Sequence, residues 1–297
     1  MTHLSTDIAS WTATAVAELI RRQDPDGGWP YREGEPAGTE PTALAVLALS
    51  VAAPATEGLA PALAWLSTRQ RGDGFFTASP VVPDASWLTP LAGLAVSRWG
   101  WSSAGEAAAQ ALISAEVFTY DGSPFPPELL AYDSAIPGWP WTIGGFSFVE
   151  PTSLAMIFLK RAGYGASERV RQGARFLRDR ALDAGGWNYG EPKVLGADLF
   201  PAAVPGAMAL LALADEQDYI TAAGLNWLLA QRGQLSSLLS LNWATIALNV
   251  LGALDDDWRA GVTARWRELP ADRRGPMETS LCLLGLAGAD DHPLAVS

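Results

Sequence analysis

Acidic residues recur at one position of an internal repeat. A Gly-Trp-x-aromatic motif occurs three times, and an acid follows each tryptophan after eleven residues. These acids are Glu40, Glu150 and Asp198. A carboxyl group beside an apolar cavity favours its protonated form, which is the form that a general acid requires. The spacing therefore marks these three acids as the candidate catalytic residues, in surroundings that would suit a general acid.

Aromatic residues lie close to the acids in the sequence and indicate what kind of reaction intermediate the site would stabilise. A ring face attracts a cation, so aromatic residues around an acid can stabilise a carbocation that protonation creates. The candidate substrate-binding residues are Trp139, Trp141, Phe146, Phe148, Trp87, Trp243, Tyr31 and Tyr189. Several of them directly precede Glu150, which singles out that acid. Packing in the core explains each ring alone equally well.

A structural role for the acids stays open beside the catalytic one. Pro41 and Pro151 follow Glu40 and Glu150 directly, and proline suits the first position of a helix. A carboxylate at that end of a helix is stabilised by the macrodipole. The acids are therefore also explained as anchors of helix N-termini.

The segments around the acids predict helices of two kinds. Each acid precedes an apolar segment with few charges, which predicts a buried inner helix, and each tryptophan motif follows an amphipathic segment, which predicts an outer helix. The predicted outer helices are Ile8–Arg22, Leu59–Arg69, Ala104–Val117, Ser167–Arg180, Tyr219–Gln231 and Trp258–Glu268. The predicted inner helices are Ala43–Ala53, Ala85–Trp99, Ser153–Ala162, Ala202–Ala214, Leu239–Leu254 and Glu278–Leu286.

Six alternating pairs predict an all-α fold, a single (α/α)6 barrel over residues 1–297 around an aromatic-lined central cavity. Parallel inner helices would collect Glu40, Glu150, Asp198 and Glu278 at one mouth of that cavity. A loop insertion at about 118–137, rich in proline, interrupts the third repeat and is expected over one mouth. Such a loop is either a lid or the product of divergence.

Composition excludes several classes of partner. The net charge is −12 and the 20 basic residues form no basic stripe, which argues against nucleic acid and anionic membranes. The uncharged segment Gly233–Leu254 carries too many polar side chains for a membrane span and is expected to be an inner helix. A single cysteine and the absence of a signal-like start favour a cytoplasmic protein.

Two segments resemble a known repeat. Residues 23–29 read Gln-Asp-Pro-Asp-Gly-Gly-Trp, and residues 70–76 read Gln-Arg-Gly-Asp-Gly-Phe-Phe. They are similar to the Gln-x-x-Asp-Gly-x-Trp repeat of squalene-hopene cyclases and prenyltransferase β subunits, with partial copies near Trp187 and Gln231. The resemblance implies that Trp29, Phe76 and Trp187 brace the outer ends of helices.

The resemblance also gives the acids a role. Squalene-hopene-type cyclases protonate an alkene with the middle aspartate of Asp-x-Asp-Asp, placed just before Thr-Ala at the start of an inner helix. Glu40 falls at that place before Thr42-Ala43, and Glu150 falls at the equivalent place in another repeat. This chain lacks the flanking aspartates.

Ligands for a transition metal are scarce. The zinc of protein prenyltransferases is held by Asp, Cys and His, whereas this chain has only Cys282, His3 and His292, without an Asp-x-Cys pair. Residues 255–257 are three aspartates without the spacing of a diphosphate–metal motif, and the sequence has no dinucleotide or Walker fingerprint. We therefore expect no metal and no cofactor.

These observations lead to a function and two alternatives. The leading hypothesis is an isoprenoid-processing enzyme that resembles a class II, protonation-initiated terpene cyclase and binds an apolar polyprenyl-type substrate. One alternative is a noncatalytic hydrophobic-ligand-binding or scaffold protein of the same fold. The other is a carbohydrate-active (α/α)6 enzyme, which also needs two carboxylates and aromatic platforms.

Overall fold

A computed structural model describes residues 2–85, 87–120 and 132–296, and it is mostly helical. Six helices form an outer layer: α1 (Thr2–Arg21), α3 (Leu59–Ser67), α5 (Ser102–Ile113), α7 (Glu168–Asp179), α9 (Tyr219–Ala230) and α11 (Asp256–Glu268). Six form an inner layer: α2 (Thr39–Ala52), α4 (Thr89–Arg98), α6 (Val149–Leu159), α8 (Ala203–Ala212), α10 (Leu238–Val250) and α12 (Pro276–Leu286). The predicted helices are confirmed, with shifts of a few residues at their ends.

The inner helices form a closed ring. Each packs on the next in chain order, and α12 packs on α2 to complete the circle. Helix α1 covers that junction because it contacts both α12 and α2. A ring of this kind buries the apolar faces of the end repeats as well as those of the middle ones. The predicted α/α barrel is confirmed.

The distribution of charge distinguishes α7 of the outer layer from α2 of the inner layer. Helix α2 carries one acid and no base, and its residues from Pro41 to Ser50 are all buried. Helix α7 places its charged residues on one face and buries Val170, Phe176 and Leu177 on the other. An inner helix has neighbours on all sides and can be apolar all round, whereas an outer helix needs a wet face.

The centre of the ring is filled, which corrects the expected central cavity. No residue from Ala43 to Leu49 in α2 or from Leu154 to Leu159 in α6 is more than 1% exposed, so the middle turns of these inner helices are covered on every side, including the side that faces the ring. Residues that border a water-sized void would retain some accessible area. The ring of Phe158 packs where a side chain on Gly93 of the neighbouring helix would lie, so large and small residues interlock there. Ligand space is therefore confined to the ends of the ring.

The glutamine–tryptophan repeats connect successive helix pairs. The amide of Gln23 donates to the carbonyl oxygens of Gly27, at 2.8 Å, and Gly58, at 2.7 Å, the latter at the start of α3. Gln70 makes the same pair of bonds to Gly74 and Ala104. Each glutamine thus holds its own turn to the next outer helix.

The repeat aromatics brace the inner layer. Trp29 is fully buried, its indole N–H donates to the carbonyl of Leu19, and its backbone N–H donates to Thr42 Oγ1. Phe76 makes the equivalent backbone bond to Thr89. Trp187 is fully buried and donates to the carbonyl of Leu177. These contacts agree with the bracing role that the resemblance implies.

Four short β-hairpins precede four inner helices and were not predicted. They pair Trp29–Pro30 (β1) with Ala37–Gly38 (β2), Thr77–Ser79 (β3) with Val82–Ala85 (β4), Trp139–Pro140 (β5) with Ser147–Phe148 (β6), and Lys193–Val194 (β7) with Ala197–Asp198 (β8). Strands of two to four residues are too short to show an alternating pattern. The hairpins surround the end of the ring where the inner helices begin, which we call the N-terminal mouth.

The chain after α12 closes the opposite end, the C-terminal mouth. His292 and Leu294 are fully buried there. His292 Nε2 lies 3.0 Å from the carbonyl oxygen of Leu284, and His292 Nδ1 accepts the backbone N–H of Leu294 at 3.1 Å. Arg161 donates to the carbonyl of Ala295, which ties this tail to the end of α6. Among the described residues, no helix is long and apolar enough to span a membrane.

Candidate functional site: an acidic mouth

Three carboxyl groups lie at the N-terminal mouth. Glu40, Glu150 and Glu278 occupy the first turns of α2, α6 and α12. Helix α4 lies between α2 and α6 in the ring. The charge of Glu40 nevertheless acts on Glu150. The predicted grouping of these acids at one mouth is therefore observed for three of the four.

Glu150 is the acid most suited to hold a proton. Its side chain is 8% exposed, and in the described part of the chain it makes no hydrogen bond or ion pair through its carboxyl group. Burial, reinforced by the charge of Glu40, raises the pKa of Glu150 to about 7. The helix dipole favours a carboxylate here, yet desolvation outweighs it. At neutral pH a substantial fraction of Glu150 is therefore a neutral carboxylic acid.

Glu40 differs because it has a hydrogen-bond partner. The hydroxyl of Tyr31 donates to Glu40 Oε2 at 2.6 Å. Burial raises the pKa of Glu40 and the charge of Glu278 adds to this, while the bond from Tyr31 opposes it. The pKa of Glu278 is also raised by burial, against the charges of Arg32 and Arg22. The mouth thus holds three coupled acids with different partners.

Asp198 does not belong to this group, so its predicted position was wrong. It lies in β8 rather than at the start of α8, which begins at Ala203. Its side chain is 80% exposed and pairs with Lys193 at 3.1 Å. The β7–β8 hairpin lies between Trp187 and α8. An acid eleven residues after the tryptophan therefore falls in the first turn of a helix in the repeats of Trp29 and Trp139, but in a strand in the repeat of Trp187.

Part of the predicted aromatic set forms one cluster at the mouth. The ring centroids of Trp87 and Trp141 are 4.6 Å apart in an edge-to-face arrangement, and Trp141 lies 6.5 Å from Phe148. All three rings are partly exposed. Phe148 directly precedes α6, whose first turn carries Glu150. The acid and one ring of the cluster therefore lie two residues apart in the chain at the start of α6.

Two predicted ligand-binding tryptophans are structural instead. Trp139 is 2% exposed, its indole donates to the carbonyl of Leu112, and the guanidinium of Arg169 stacks on its ring at 3.8 Å. It is the third repeat's counterpart of Trp29. Trp243 is 3% exposed within α10. Neither ring has more than 3% of its surface exposed for contact with a ligand.

A cleft of about 210 Å³ lies beside the β5–β6 hairpin. Phe146 and Phe148 line it together with Phe118, and Glu150 does not. The rings of Phe118 and Phe146 contact each other at 4.8 Å, and Phe146 is 62% exposed. Tyr189 is also exposed, and its carbonyl accepts the N–H of Val149.

The predicted insertion at 118–137 borders this cleft at both of its ends. Phe118 donates its backbone N–H to Gly145, and Tyr120 donates to Ser134. Residues 121–131 of the insertion lie outside the described residues. In the part of the chain that the structure describes, no group of three or more His, Cys, Asp or Glu side chains is placed to hold a metal ion.

The repeat pattern did not reveal that Glu40 and Glu150 differ in their hydrogen-bond partners. Tyr31, Trp141 and Tyr189 hold the same position, two residues after the repeat tryptophan, and all three were treated as ligand-binding rings. Only Tyr31 is observed to bind an acid. The glycine at position 38, where Phe148 stands in the third repeat, is the signal that could have shown this difference.

Fold and site together define a closed helical barrel with an acidic, aromatic mouth. The sequence matches no family model and no curated protein. Among solved structures, a complex of the type II terpene cyclase MstE from Scytonema with the product merosterolic acid A is similar, at 14% identity and a TM-score of 0.64 over 95% of this chain and 97% of that one. The complex of the same enzyme with its substrate geranylgeranyl dihydroxybenzoate has 15% identity and a TM-score of 0.62, covering 92% and 82%.

Other enzymes share the architecture. An α-amylase from Clostridium perfringens is similar at 11% identity and a TM-score of 0.66, over 93% of this chain and 96% of that one. At such low identities the likeness establishes the fold alone. The chain therefore has the helical-barrel fold of type II terpene cyclases, which glycosidases share.

Proposed function

We propose that the protein is a protonation-initiated isoprenoid cyclase in which Glu150 is the proton donor. The observation that carries this proposal is the buried carboxyl group of Glu150, which has no hydrogen-bond partner among the described residues and a pKa of about 7, and which follows Phe148 of the Trp87–Trp141–Phe148 cluster by two residues. A general acid works best when its pKa is close to the working pH. The MstE complexes with an isoprenoid substrate and product add support from the same fold.

The chemistry needs only the side chains at the mouth. Glu150 transfers its proton to one carbon of an alkene, the π electrons form the new C–H bond, and the other carbon becomes cationic. A second double bond of the same chain attacks that cation and closes a ring. Loss of a proton to a base ends the reaction without a net change in atoms. Ring faces of the aromatic cluster stabilise the cations by about 0.5–2 kcal/mol each.

The filled ring centre sets where a ligand lies. Val46, Ile157 and Ile246 leave no space below the acids, so an apolar chain would lie across the mouth. The cleft lined by Phe146 and Phe148 extends this surface outward from the start of α6. Tyr31 binds Glu40 at the start of α2, and the carbonyl of Tyr189 accepts the N–H of Val149 at the start of α6.

The proposal is tested with polyprenyl compounds of increasing chain length, followed by chromatography and mass spectrometry of the extract. The parent protein should form cyclic isomers of at least one compound. Glu150→Gln keeps the shape and removes the acid, so turnover should fall by about 100-fold or more. Asp198→Asn is the matched control, since that acid is exposed and distant from the aromatic cluster, and it should retain parental turnover.

Other outcomes would replace the proposal. Stoichiometric binding of a polyprenyl compound without turnover would indicate the noncatalytic ligand-binding protein. Hydrolysis of α-glucans would indicate the carbohydrate-active alternative, which the acid pair Glu40–Glu150 and the amylase fold favour. Parental cyclisation by the Glu150→Gln variant would leave the residue as a helix anchor.

A further inference from the structure

The first and third repeats have the same backbone framework but different side chains at two paired positions. In the β1–β2 hairpin Trp29 pairs with Gly38, and in the β5–β6 hairpin Trp139 pairs with Phe148. Two residues after each tryptophan stand Tyr31 and Trp141. Tyr31 and Gly38 therefore correspond to Trp141 and Phe148.

Gly38 provides the space that Tyr31 occupies. A Cβ atom at position 38 would lie 2.8 Å from Tyr31 Cε2, which is closer than real side-chain contacts. The ring consequently lies against the glycine, and its hydroxyl reaches Glu40 Oε2 at 2.6 Å. In the third repeat Phe148 fills the corresponding place, Trp141 stacks near it, and Glu150 receives no hydroxyl.

The charged groups around Glu40 link its protonation state to that of Glu150. From α12 the charge of Glu278 acts on Glu40, and the charge of Glu40 acts on Glu150 from across the mouth. Arg22 and Arg32 act on Glu278 from the other side. Tyr31 is the hydrogen-bond donor that faces Glu40 among the described residues.

We infer that Tyr31 and Gly38 are positioning residues that favour the ionised form of Glu40 against the effect of burial, and thereby favour the proton on Glu150. A hydrogen bond to a carboxylate favours its charged form, and a nearby negative charge favours the neutral form of a second carboxyl group. Two acids whose surroundings differ in this way separate into an ionised member and a proton-carrying member. The inference rests on the proposed function in one respect only, the transfer of this proton to a substrate.

The test measures the titration of each acid by NMR, with ¹³C-labelled glutamate side chains assigned through the Glu40→Gln and Glu150→Gln variants. Tyr31→Phe removes the hydroxyl, and Gly38→Ala keeps the hydroxyl but displaces the ring. In both variants Glu150 should lose its proton at lower pH than in the parent. The expected change in its proton dissociation constant is roughly tenfold, the order of effect of one charge-assisted hydrogen bond.

Tyr189→Phe is the matched control, because the same position in another repeat is exposed and binds no acid among the described residues. It should leave the titration of Glu150 unchanged. Thermal unfolding verifies that each variant is folded, and position 38 has an extended backbone that alanine adopts readily. If Tyr31→Phe does not fold, Gly38→Ala still answers the question.

A parental midpoint for Glu150 in the folded variants would overturn the inference. So would an equal shift in the Tyr189→Phe control. No substrate is present in these titrations, so their outcome is separate from that of the turnover assay. Shifted midpoints in a protein that cyclises nothing would sustain this inference and reject the proposed function, and cyclisation with unshifted midpoints would do the reverse.

Discussion

The two ends of the inner ring carry charged side chains of opposite sign, and they differ in how those side chains are paired. Acids lie at the N-terminal mouth and the bases Arg98, Lys160 and Arg161 lie at the C-terminal mouth, so both arrangements suit the helix dipoles. Lys160 is fully engaged by Asp215 at 2.5 Å and the carbonyl of Ala212 at 2.8 Å. Glu150 has no such partner among the described residues.

The helix dipole therefore sets which sign of charge collects at an end, whereas the local hydrogen-bond partners determine whether that charge can change. At the C-terminal mouth the tail after α12 adds apolar packing through Leu294. Burial there lowers the pKa of His292 to about 4, so this side chain is neutral. At the N-terminal mouth a carboxyl group retains a proton near neutral pH. Chemistry is therefore expected at one end and closure at the other.

Loss of apolar packing at the C-terminal mouth should have the largest effect on stability. Leu294 is fully buried under the ring, so Leu294→Ala should lower the free energy of unfolding by about 2–5 kcal/mol. Leu195→Ala is the control, because that side chain is 79% exposed at the open end and should change stability by less than about 0.5 kcal/mol. Urea unfolding measures both. Equal losses would mean that the tail is not a packed plug.

The two ends should also respond to pH with opposite signs. Glu150 has a pKa of about 7 against a usual 4.5, so the unfolded chain releases this proton first and stability falls as pH rises from 4.5 to 7. His292 has a pKa of about 4 against a usual 6.5, so the unfolded chain binds the proton first and stability is lost as pH falls from 6.5 to 4. Each effect is on the order of 3 kcal/mol.

These opposing effects are separated by variants. Glu150→Gln should gain stability relative to the parent as pH rises through that window, and His292→Gln should gain relative to the parent as pH falls. Denaturant unfolding at several pH values gives the differences. A Glu150→Gln difference that does not vary with pH, or a loss at pH 8, would indicate a carboxylate anchoring α6 rather than a buried acid.

The ion pair at the closed end should contribute least. Asp291 lies 2.6 Å from Arg98, but its side chain is 64% exposed and solvent screens the pair. Asp291→Asn should therefore change the free energy of unfolding by less than about 1 kcal/mol. Thermal unfolding beside Leu294→Ala measures it. An effect as large as that of Leu294→Ala would make charge, rather than apolar packing, the main contribution to closure.

Much of the fold could be predicted because the sequence marks it locally. Helices such as α2 and α7 differ plainly in their charged residues, and alternation along the chain implies a ring. The acids Glu40 and Glu150 were placed correctly because proline and an apolar segment follow each of them. The fold class and the two acids therefore follow from the sequence.

The errors have different origins. Asp198 has the same spacing, but a hairpin separates it from α8, which only packing determines. Trp139 was predicted to bind a ligand because it precedes Glu150, although it holds the repeat position of Trp29 and Trp187, so comparison of the repeats would have predicted its structural role. The filled centre of the ring depends on the interlocking of residues such as Phe158 and Gly93 on different helices, which no local pattern specifies.

Closure of the ring has a consequence for how the chain folds. Arg267 pairs with Asp7 at 2.9 Å and Arg22 binds the carbonyl of Ala271, so the contacts that seal the circle join segments about 250 residues apart. Individual helix pairs can form from local contacts, whereas this junction requires the two ends of the chain to meet, and such distant contacts slow folding. An array in which α12 has not yet reached α2 would expose an apolar face at each end. Exposed apolar surface of that kind favours aggregation during folding.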